Sequence, residues 1–236
     1  MRPMKQMSTK KRLSVIIPVY GERRIMGETL RHLSALGAPS PEIEVIVVDG
    51  HPSGDTIAAI DVDGVVPLTS PKGRGAQMNA GAAAARGEAL LFLHADTMLP
   101  VGAFGGIFKA LADPAIAGGA FDLGIRSDRL AFRLIERISS CRSRLTRIPY
   151  GDQGIFMRRE LFAAVGGYPA IPIMEEVALM RRLKARGERI RFIGGRVMTS
   201  ARRWERDGIL RRTLRNWALI LLYLIGVSPE ELAKHY

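Results

Sequence analysis

Glu88-Ala89-Leu90-Leu91-Phe92-Leu93-His94-Ala95-Asp96-Thr97 changes character within one residue. Leu90 to Leu93 is wholly apolar, as a strand covered on both faces must be. The run then breaks into His94 and Asp96, and Met98-Leu99-Pro100 turns the chain toward a new helical pattern. In open α/β sheets, ligands bind beyond the carboxyl ends of the strands. A carboxylate at such an end, one residue removed from an imidazole, can hold a divalent cation against a phosphate. A plainer reading stays open, in which Asp96 caps the next element and His94 is a satisfied core histidine.

Moving outward, two further apolar runs match this strand. Leu13 to Ile17 ends in Pro18-Val19-Tyr20-Gly21-Glu22, and Ile43 to Val48 ends in Asp49-Gly50-His51-Pro52-Ser53-Gly54-Asp55. Between them Ile25, Met26, Thr29, Leu30, Leu33 and Leu36 recur at helical spacing until Gly37. Gly73-Arg74-Gly75 opens an alanine-rich helix that runs to about Arg86 and is closed by Gly87. This alternation predicts an α/β fold: a mostly parallel, Rossmann-like sheet with helices on both faces.

The second half is expected to alternate less regularly. Pro100 opens a helix carrying Phe104, Ile107, Phe108 and Leu111, and Gly118 to Ile125 reads as a strand. Leu130, Leu134, Ile138, Cys141 and Leu145 stripe one face of a long helix whose other face is rich in arginine. The polar loop Tyr150 to Gly154 leads into a strand at Ile155 to Met157, then a short helix from Arg159 to Val165. Glu175-Glu176 opens a helix closed by Gly187; two short strands, Arg189 to Ile193 and Arg196 to Thr199, come next. An arginine-rich turn then enters an apolar helix from Gly208 to Ile225. With no repeat, low-complexity segment or linker, the expected organisation is a basic tail (1–12), one domain (13–200) and a basic, apolar helical extension (201–236). Within the domain, the regular alternation fills 13–100 and the less regular part 101–200.

A net charge of +12, from 35 basic against 23 acidic residues, points to anionic partners. Cys141 is the only cysteine, which rules out an intrachain disulfide or a cysteine-based zinc site and fits a reducing, cytoplasmic setting. The apolar run after the basic tail contains Pro18 and meets Glu22, so no signal peptide is expected. No stretch has the roughly 20 apolar residues of a spanning helix. The arginines lack interleaved aromatics and no recognition motif is present, which argues against nucleic acid.

Three strand ends thus carry Tyr20 and Glu22, Asp49 and Asp55, and His94 and Asp96. Polar groups at one edge of three adjacent strands suit a nucleotide, with Asp49 accepting from a base or ribose and Asp96 holding a metal at the phosphates. Arg74 offers a cation, and the backbone around it N–H groups, for the anion. Each also has an ordinary reading, as turn residue, cap or solvated charge. The glycines around Arg74 form neither a GxGxxG fingerprint nor a Walker A loop.

Val15-Ile16-Ile17-Pro18-Val19-Tyr20-Gly21-Glu22 followed by Val45-Ile46-Val47-Val48-Asp49-Gly50 resembles the opening of the family 2 glycosyltransferases with the GT-A fold. Asn79, Gly81 and Gly87-Glu88 resemble the helix that leads into that family's metal-site strand, and His94-Ala95-Asp96 sits at its Asp-x-Asp position. Gly151 to Tyr168 resembles the acceptor-side segment, and Glu175-Glu176 falls at the family's Glu-Asp. The resemblance covers roughly 13–191. The chain departs from the pattern at His94, Glu176 and Gly21, which replace Asp, Asp and Asn. Ser200 to Trp204 is similar to the Gln-x-x-Arg-Trp of processive synthases but lacks the glutamine, so processivity is not expected. This closing stretch, with Val227-Ser228-Pro229-Glu230, resembles a narrower bacterial subgroup labelled radical-SAM/selenodomain-associated transferase 2.

The resemblance implies an inverting transfer of a sugar from a nucleotide-diphosphate donor, with Mn²⁺ or Mg²⁺ as cofactor. It assigns Pro18, Tyr20, Glu22, Asp49, Arg74 and His94 to the nucleotide, Asp96 to the metal, Glu176 as catalytic base with Glu175 beside it, and Asp152 and Gln153 to the acceptor. Acidic residues in a helix's first turn are also common without catalysis. Arg202, Arg203, Arg206, Arg211, Arg212 and Arg215 precede or line the last apolar helix. Such a helix can lie at an inner membrane surface and serve a lipid-like acceptor, form a homodimer interface, or pack into the protein's own core. Two other functions remain open: a nucleotidyltransferase, although the glycine- and arginine-containing loop expected after its first strand is missing, and a non-catalytic, membrane-associated nucleotide-binding module.

Overall fold

The computed structural model describes residues 12–235, so all but Arg12 of the expected basic tail lies outside the described residues. Strands β1 (Leu13–Val19), β2 (Ile43–Asp49), β3 (Val65–Thr69) and β4 (Ala89–Phe92) pair in parallel. They alternate with helices α1 (Arg23–Ala35), α2 (Asp55–Ala58) and α3 (Arg74–Ala84). After β5 (Thr97–Met98) come α4 (Ala103–Leu111), β6 (Gly118–Arg126), α5 (Leu130–Thr146), a 3₁₀ turn (Gly151–Gln153), β7 (Ile155–Arg158) and α6 (Arg159–Ala164). The chain continues through α7 (Glu175–Ala185), β8 (Ile190–Ser200), α8 (Arg202–Asp207), α9 (Ile209–Leu224) and α10 (Pro229–Ala233). One sheet results, in the order β3-β2-β1-β4-β7-β6-β8-β5.

The two-residue period of a strand explains why helices cover both faces of this sheet. Val15, Ile17 and Val19 of β1 point to one side, with Val45, Val47 and Leu91, and meet Met26, Leu30 and Leu33 of α1 and Ile107 of α4. Ile16, Ile46, Val48, Leu90 and Phe92 point to the other side, onto Met78 of α3, Phe162 of α6 and Leu179 and Leu183 of α7. Every residue of β1 and β2 is buried. Fully burying each such aliphatic side chain stabilises by about 1.5–3 kcal/mol, which fixes the strand ends firmly.

The second half departs from the expected pattern at β8, which is one strand rather than two. Gly194-Gly195 reads as a break in the sequence, but here it is a bulge: between the pairs Ala120–Phe192 and Asp122–Arg196, one residue of β6 faces three of β8. The sheet also has an edge strand, β3, that carries Pro67; at an edge the missing N–H costs no ladder bond.

The apolar helices α5 and α9 behave unlike α1. On α5 the buried residues are Phe132, Glu136 and Ser143, while Leu130, Leu134, Ile138 and Leu145 are exposed. On α9 the buried residues are Arg212, Thr213 and Leu219, while Leu210, Leu214, Trp217 and Leu221 are exposed. Burial in the protein's own core is therefore not what the apolar stripe of α9 does.

Candidate active site

The parallel register brings the ends of β1, β2 and β4 to one edge, with Val19 beside Asp49 and Ile16 beside Phe92. Gln77 of α3 locks this edge, its amide nitrogen donating to Val19 O at 2.5 Å and Val48 O at 2.9 Å. Pro18 is buried inside β1, paired with Val48, and shapes the strand from within. Asp49 is buried; one carboxylate oxygen accepts from His51 N at 2.8 Å, and Oδ2 has no partner. Tyr20 is exposed, its ring edge-on to His51 at 4.9 Å, with Lys72 Nζ 4.9 Å from its centre.

Beyond β4, the turn carrying His94 and Asp96 is held by α1. Thr29 Oγ1 donates to Ala95 O at 2.5 Å, and His32 Nε2 lies 2.8 Å from Leu99 O. Asp96 Oδ2 lies 3.6 Å from Arg202 Nη2. The same Arg202 nitrogen donates to both carboxylate oxygens of Glu22, at 2.9 and 3.0 Å. Arg202 thus leaves the C-terminal basic cluster and joins the ends of β1 and β4. Its sequence neighbours gave no sign of that destination.

Glu175 and Glu176 open α7 behind Met174, whose left-handed conformation (φ 67°) turns the chain sharply into the helix. The approach is fixed from α3: Asn79 Nδ2 donates to Tyr168 O at 2.8 Å and Tyr168 N to Asn79 Oδ1 at 2.9 Å. Arg74, the first residue of α3, places Nε 2.5 Å from Glu175 Oε1 and 3.6 Å from Glu176 Oε1. His94 Nε2 reaches Glu176 Oε1 from the other side, also at 3.6 Å. Gly151 makes this meeting possible, because a Cβ there would fall against Glu176 Oε1 and His94 Nε2.

These groups share a cavity of about 170 Å³ bordered by Arg74, His94, Asp96, Asp152 and Glu176, with Trp204, Leu219 and Ile220 forming an apolar wall. Asp49 is not in that wall. It lies two strands away along the same edge, about 10 Å at the usual strand spacing. Glu175 lies behind the wall, on Arg74. Gln153 also stays outside: its amide oxygen accepts from Ser143 Oγ and Tyr150 N, and its nitrogen donates to Phe121 O.

The charges in this cavity are unequal. Burial alone would raise Glu176, but the Arg74 guanidinium and the His94 ring outweigh it and bring its pKa down to about 2. Glu175 moves the other way, raised by burial and by repulsion from Glu176 despite its contact with Arg74. Arg74 lies against both carboxylates and the His94 ring faces Glu176 alone, so a proton taken up by the pair goes to Glu175. Burial also pushes Asp152 up, with repulsion from Glu176 and Asp96 opposing attraction from His94 and Arg142. Its Oδ1 has no partner, nor do the hydroxyl of Tyr150 and the indole nitrogen of Trp204.

Among the described residues, no group of three or more His, Cys, Asp or Glu side chains is assembled to hold a metal ion. Mg²⁺ and Mn²⁺ are commonly held by one or two carboxylates with substrate phosphates supplying further oxygens. Asp96, a hard oxygen donor at the cavity edge, fits that arrangement.

The helix-wrapped sheet, parallel through β4 and mixed beyond it, is a GT-A fold. Residues 14–168 match the family described as Glycosyl transferase family 2, and the chain belongs to that family. The matched span ends before α7, so Glu175 and Glu176 lie beyond it. Among solved structures, the chain is similar to the mannosyltransferase PcManGT from Pyrobaculum calidifontis in complex with GDP-Man and Mn²⁺ (TM-score 0.63, 21% identity, 81% of this chain and 56% of that one). It is also similar to S. aureus TarS 1–349 (TM-score 0.59, 17% identity, 80% of this chain and 60% of that one) and to the same protein in complex with UDP-GlcNAc (TM-score 0.59, 17% identity, 80% and 58%). The chain therefore spans 56–60% of the length of these relatives. No curated protein matches it.

Proposed function

We propose that this chain is an inverting glycosyltransferase of the hexosyltransferase type, moving a sugar from a nucleoside-diphosphate donor to an acceptor hydroxyl. One observation carries the reading: Arg74 of α3, Glu176 of α7 and the pair His94 and Asp96 beyond β4 come from three separate segments and line one cavity at the carboxyl edge of the sheet. Nothing in the core requires an ionised, buried glutamate there.

In this reading residues 13–100 hold the donor. Asp49, with its unpartnered Oδ2, takes the base or ribose, Tyr20 flanks it, Arg74 supplies positive charge near the diphosphate, and the His94 ring borders the same space. Residues 101–200 hold the acceptor, whose hydroxyl meets Glu176 with Asp152 alongside. The proton of that hydroxyl passes to Glu176 Oε1 while its oxygen attacks the anomeric carbon opposite the diphosphate. The bond from that carbon to the diphosphate oxygen breaks, its electron pair leaves with the nucleoside diphosphate, and the carbon inverts. Arg74 and His94 hold Glu176 in its ionised form. A divalent cation on Asp96 would neutralise charge on the departing diphosphate. The closing stretch supports placement in the radical-SAM/selenodomain-associated transferase 2 subgroup, and the lone cysteine supports a cytoplasmic setting.

A panel of nucleotide sugars, assayed for release of nucleoside diphosphate with and without Mn²⁺, tests this. Metal-dependent release from at least one donor is expected. Glu176→Gln should keep donor affinity and lose about 10²–10⁴-fold in turnover. Failure of every nucleoside diphosphate to bind overturns the reading, as does Glu176→Gln turning over at the native rate.

A further inference from the structure

The second half of the chain turns its apolar helix faces outward. On α5, Leu130, Leu134, Ile138 and Leu145 lie along one face and are 38–84% exposed. On α9, Leu210, Leu214, Trp217, Leu221 and Leu224 recur at alternating spacings of four and three and are 44–72% exposed. The two helices meet along a groove of about 320 Å³ in which Ile138 faces Trp217, Ile220, Leu221 and Leu224. A second cavity, bordered by Trp204 and Asn216, lies between this groove and the one holding Glu176. Tyr150 and Ile220 border all three. Three adjoining cavities thus lead from the exposed helix faces toward Glu176, apolar at the groove and polar around Asp152 and Asn216.

The charge around these faces selects their partner. Residues 127–150 carry six arginines against Asp128 and Glu136, and Arg137 and Arg147 are exposed beside the α5 stripe. Arg203 and Arg211 are exposed where α9 begins. A second copy docked by twofold symmetry would bring these arginines against themselves, a like-charge juxtaposition that opposes association. An anionic lipid surface takes both features: the leucines enter the acyl boundary, Trp217 lies at the interface, and the arginines meet phosphate head groups. Among the described residues no helix is long and apolar enough to cross a membrane, so contact would be in the plane of the surface.

We infer that α5 and α9 together form a docking face for an anionic bilayer. The groove between them admits a hydroxyl-bearing amphiphile from that bilayer toward Glu176. The second statement rests on the proposed transfer reaction; the first does not.

Flotation of the full chain with vesicles of phosphatidylcholine, alone or mixed with equal phosphatidylglycerol, tests the docking face. The chain floats with the anionic vesicles, at least tenfold less with the neutral ones, and less as salt is raised. The double variant Leu214→Glu/Leu221→Glu loses at least tenfold in vesicle partition while keeping its circular dichroism spectrum and its affinity for GDP and UDP. Absence of flotation overturns the docking face, and so does a stable dimer that this variant dissociates. The chain has two tryptophans, and both border the route. In Trp217→Phe, where Trp204 alone reports, a brominated long-chain alcohol quenches the fluorescence; no quenching overturns the route. Flotation requires no turnover, so a chain that floats yet releases no nucleoside diphosphate from any donor overturns the transfer reading alone.

Discussion

Helices α1 and α9 carry the same kind of apolar spacing and use it in opposite ways. Met26, Leu30 and Leu33 of α1 are 1% exposed, pressed on the odd-numbered face of β1. Leu210, Leu214 and Leu221 of α9 are exposed. The difference lies in what each helix finds beside it. A parallel strand offers α1 a flat apolar surface, whereas α9 is held by a few points: Arg212 and Arg215 on Asp207, and Leu219 against Ile173 and Leu232. Periodicity states which face of a helix is apolar and leaves open what that face will meet. The site lies at the seam between these regions, where the rigid strand ends of the first half face the open helices of the second.

Truncating one leucine on each side tests this contrast most directly. Leu30→Ala leaves a cavity against β1 and should cost about 2–5 kcal/mol, read as a lower denaturation midpoint. Leu221→Ala should change stability by no more than about 0.5 kcal/mol. Equal losses would mean that α9 is packed as tightly as α1, and the contrast would fail. At the seam, Gly151→Ala should leave the fold intact, because the atoms nearest the new methyl group are the ends of the Glu176 and His94 side chains rather than backbone. Displacing those ends should lower turnover about hundredfold at saturating donor. An unchanged rate would show that the two side chains need not approach Gly151.

Much of the first half was legible because local signals and tertiary packing agree there. The apolar runs ending at Ile17, Val48 and Leu93 read as covered strands, and their polar successors share an edge once the strands run parallel. The region beyond β4 was legible only in part. Glu176 could be named, yet its meeting with His94 joins residues far apart in the chain and has no local signature. Gln153, expected at the acceptor, is consumed by Ser143, Tyr150 and Phe121. Tyr150 and Trp204 were not singled out for the cavity, because an aromatic in a loop or short helix carries no sign of which void it borders. Gln77 was likewise invisible: a glutamine inside an alanine-rich helix does not announce that it bridges two strand ends.

Glu44, at the opposite edge of the first-half sheet, sharpens the comparison from the side away from the site. It is buried and accepts from Ser14 Oγ and Arg86 N, both at 2.6 Å, and from Arg86 Nε at 2.9 Å. Burial alone would raise its pKa, but these bonds together hold it below its ordinary 4.5. Its stabilisation is therefore present above about pH 4.5 and is lost as pH falls through the lower folded value. Glu44→Gln should cost about 1–3 kcal/mol at neutral pH and flatten the acid limb of the stability curve. An acid limb unchanged in the variant would assign that loss to other carboxylates.

Arg202 is the tie across the seam, and its effect should be the smallest and the most selective. Its side chain is about two-fifths exposed, so its pairs with Glu22 and Asp96 should contribute at most about 1 kcal/mol to stability. Its charge is another matter. It stands between the two carboxylates proposed to face the diphosphate and its metal, and removing it takes away a fixed cation at that point. Arg202→Ala should therefore weaken GDP or UDP binding about tenfold without Mn²⁺, the scale of one charge-assisted hydrogen bond. With saturating Mn²⁺ the loss should shrink, because Asp96 is freed for the metal. Calorimetric titrations of both nucleotides with and without Mn²⁺ read this difference. An equal loss in both conditions would make Arg202 a simple strut between β1, β4 and α8. A gain in metal-free binding would mean that the guanidinium blocks the nucleotide rather than receives it.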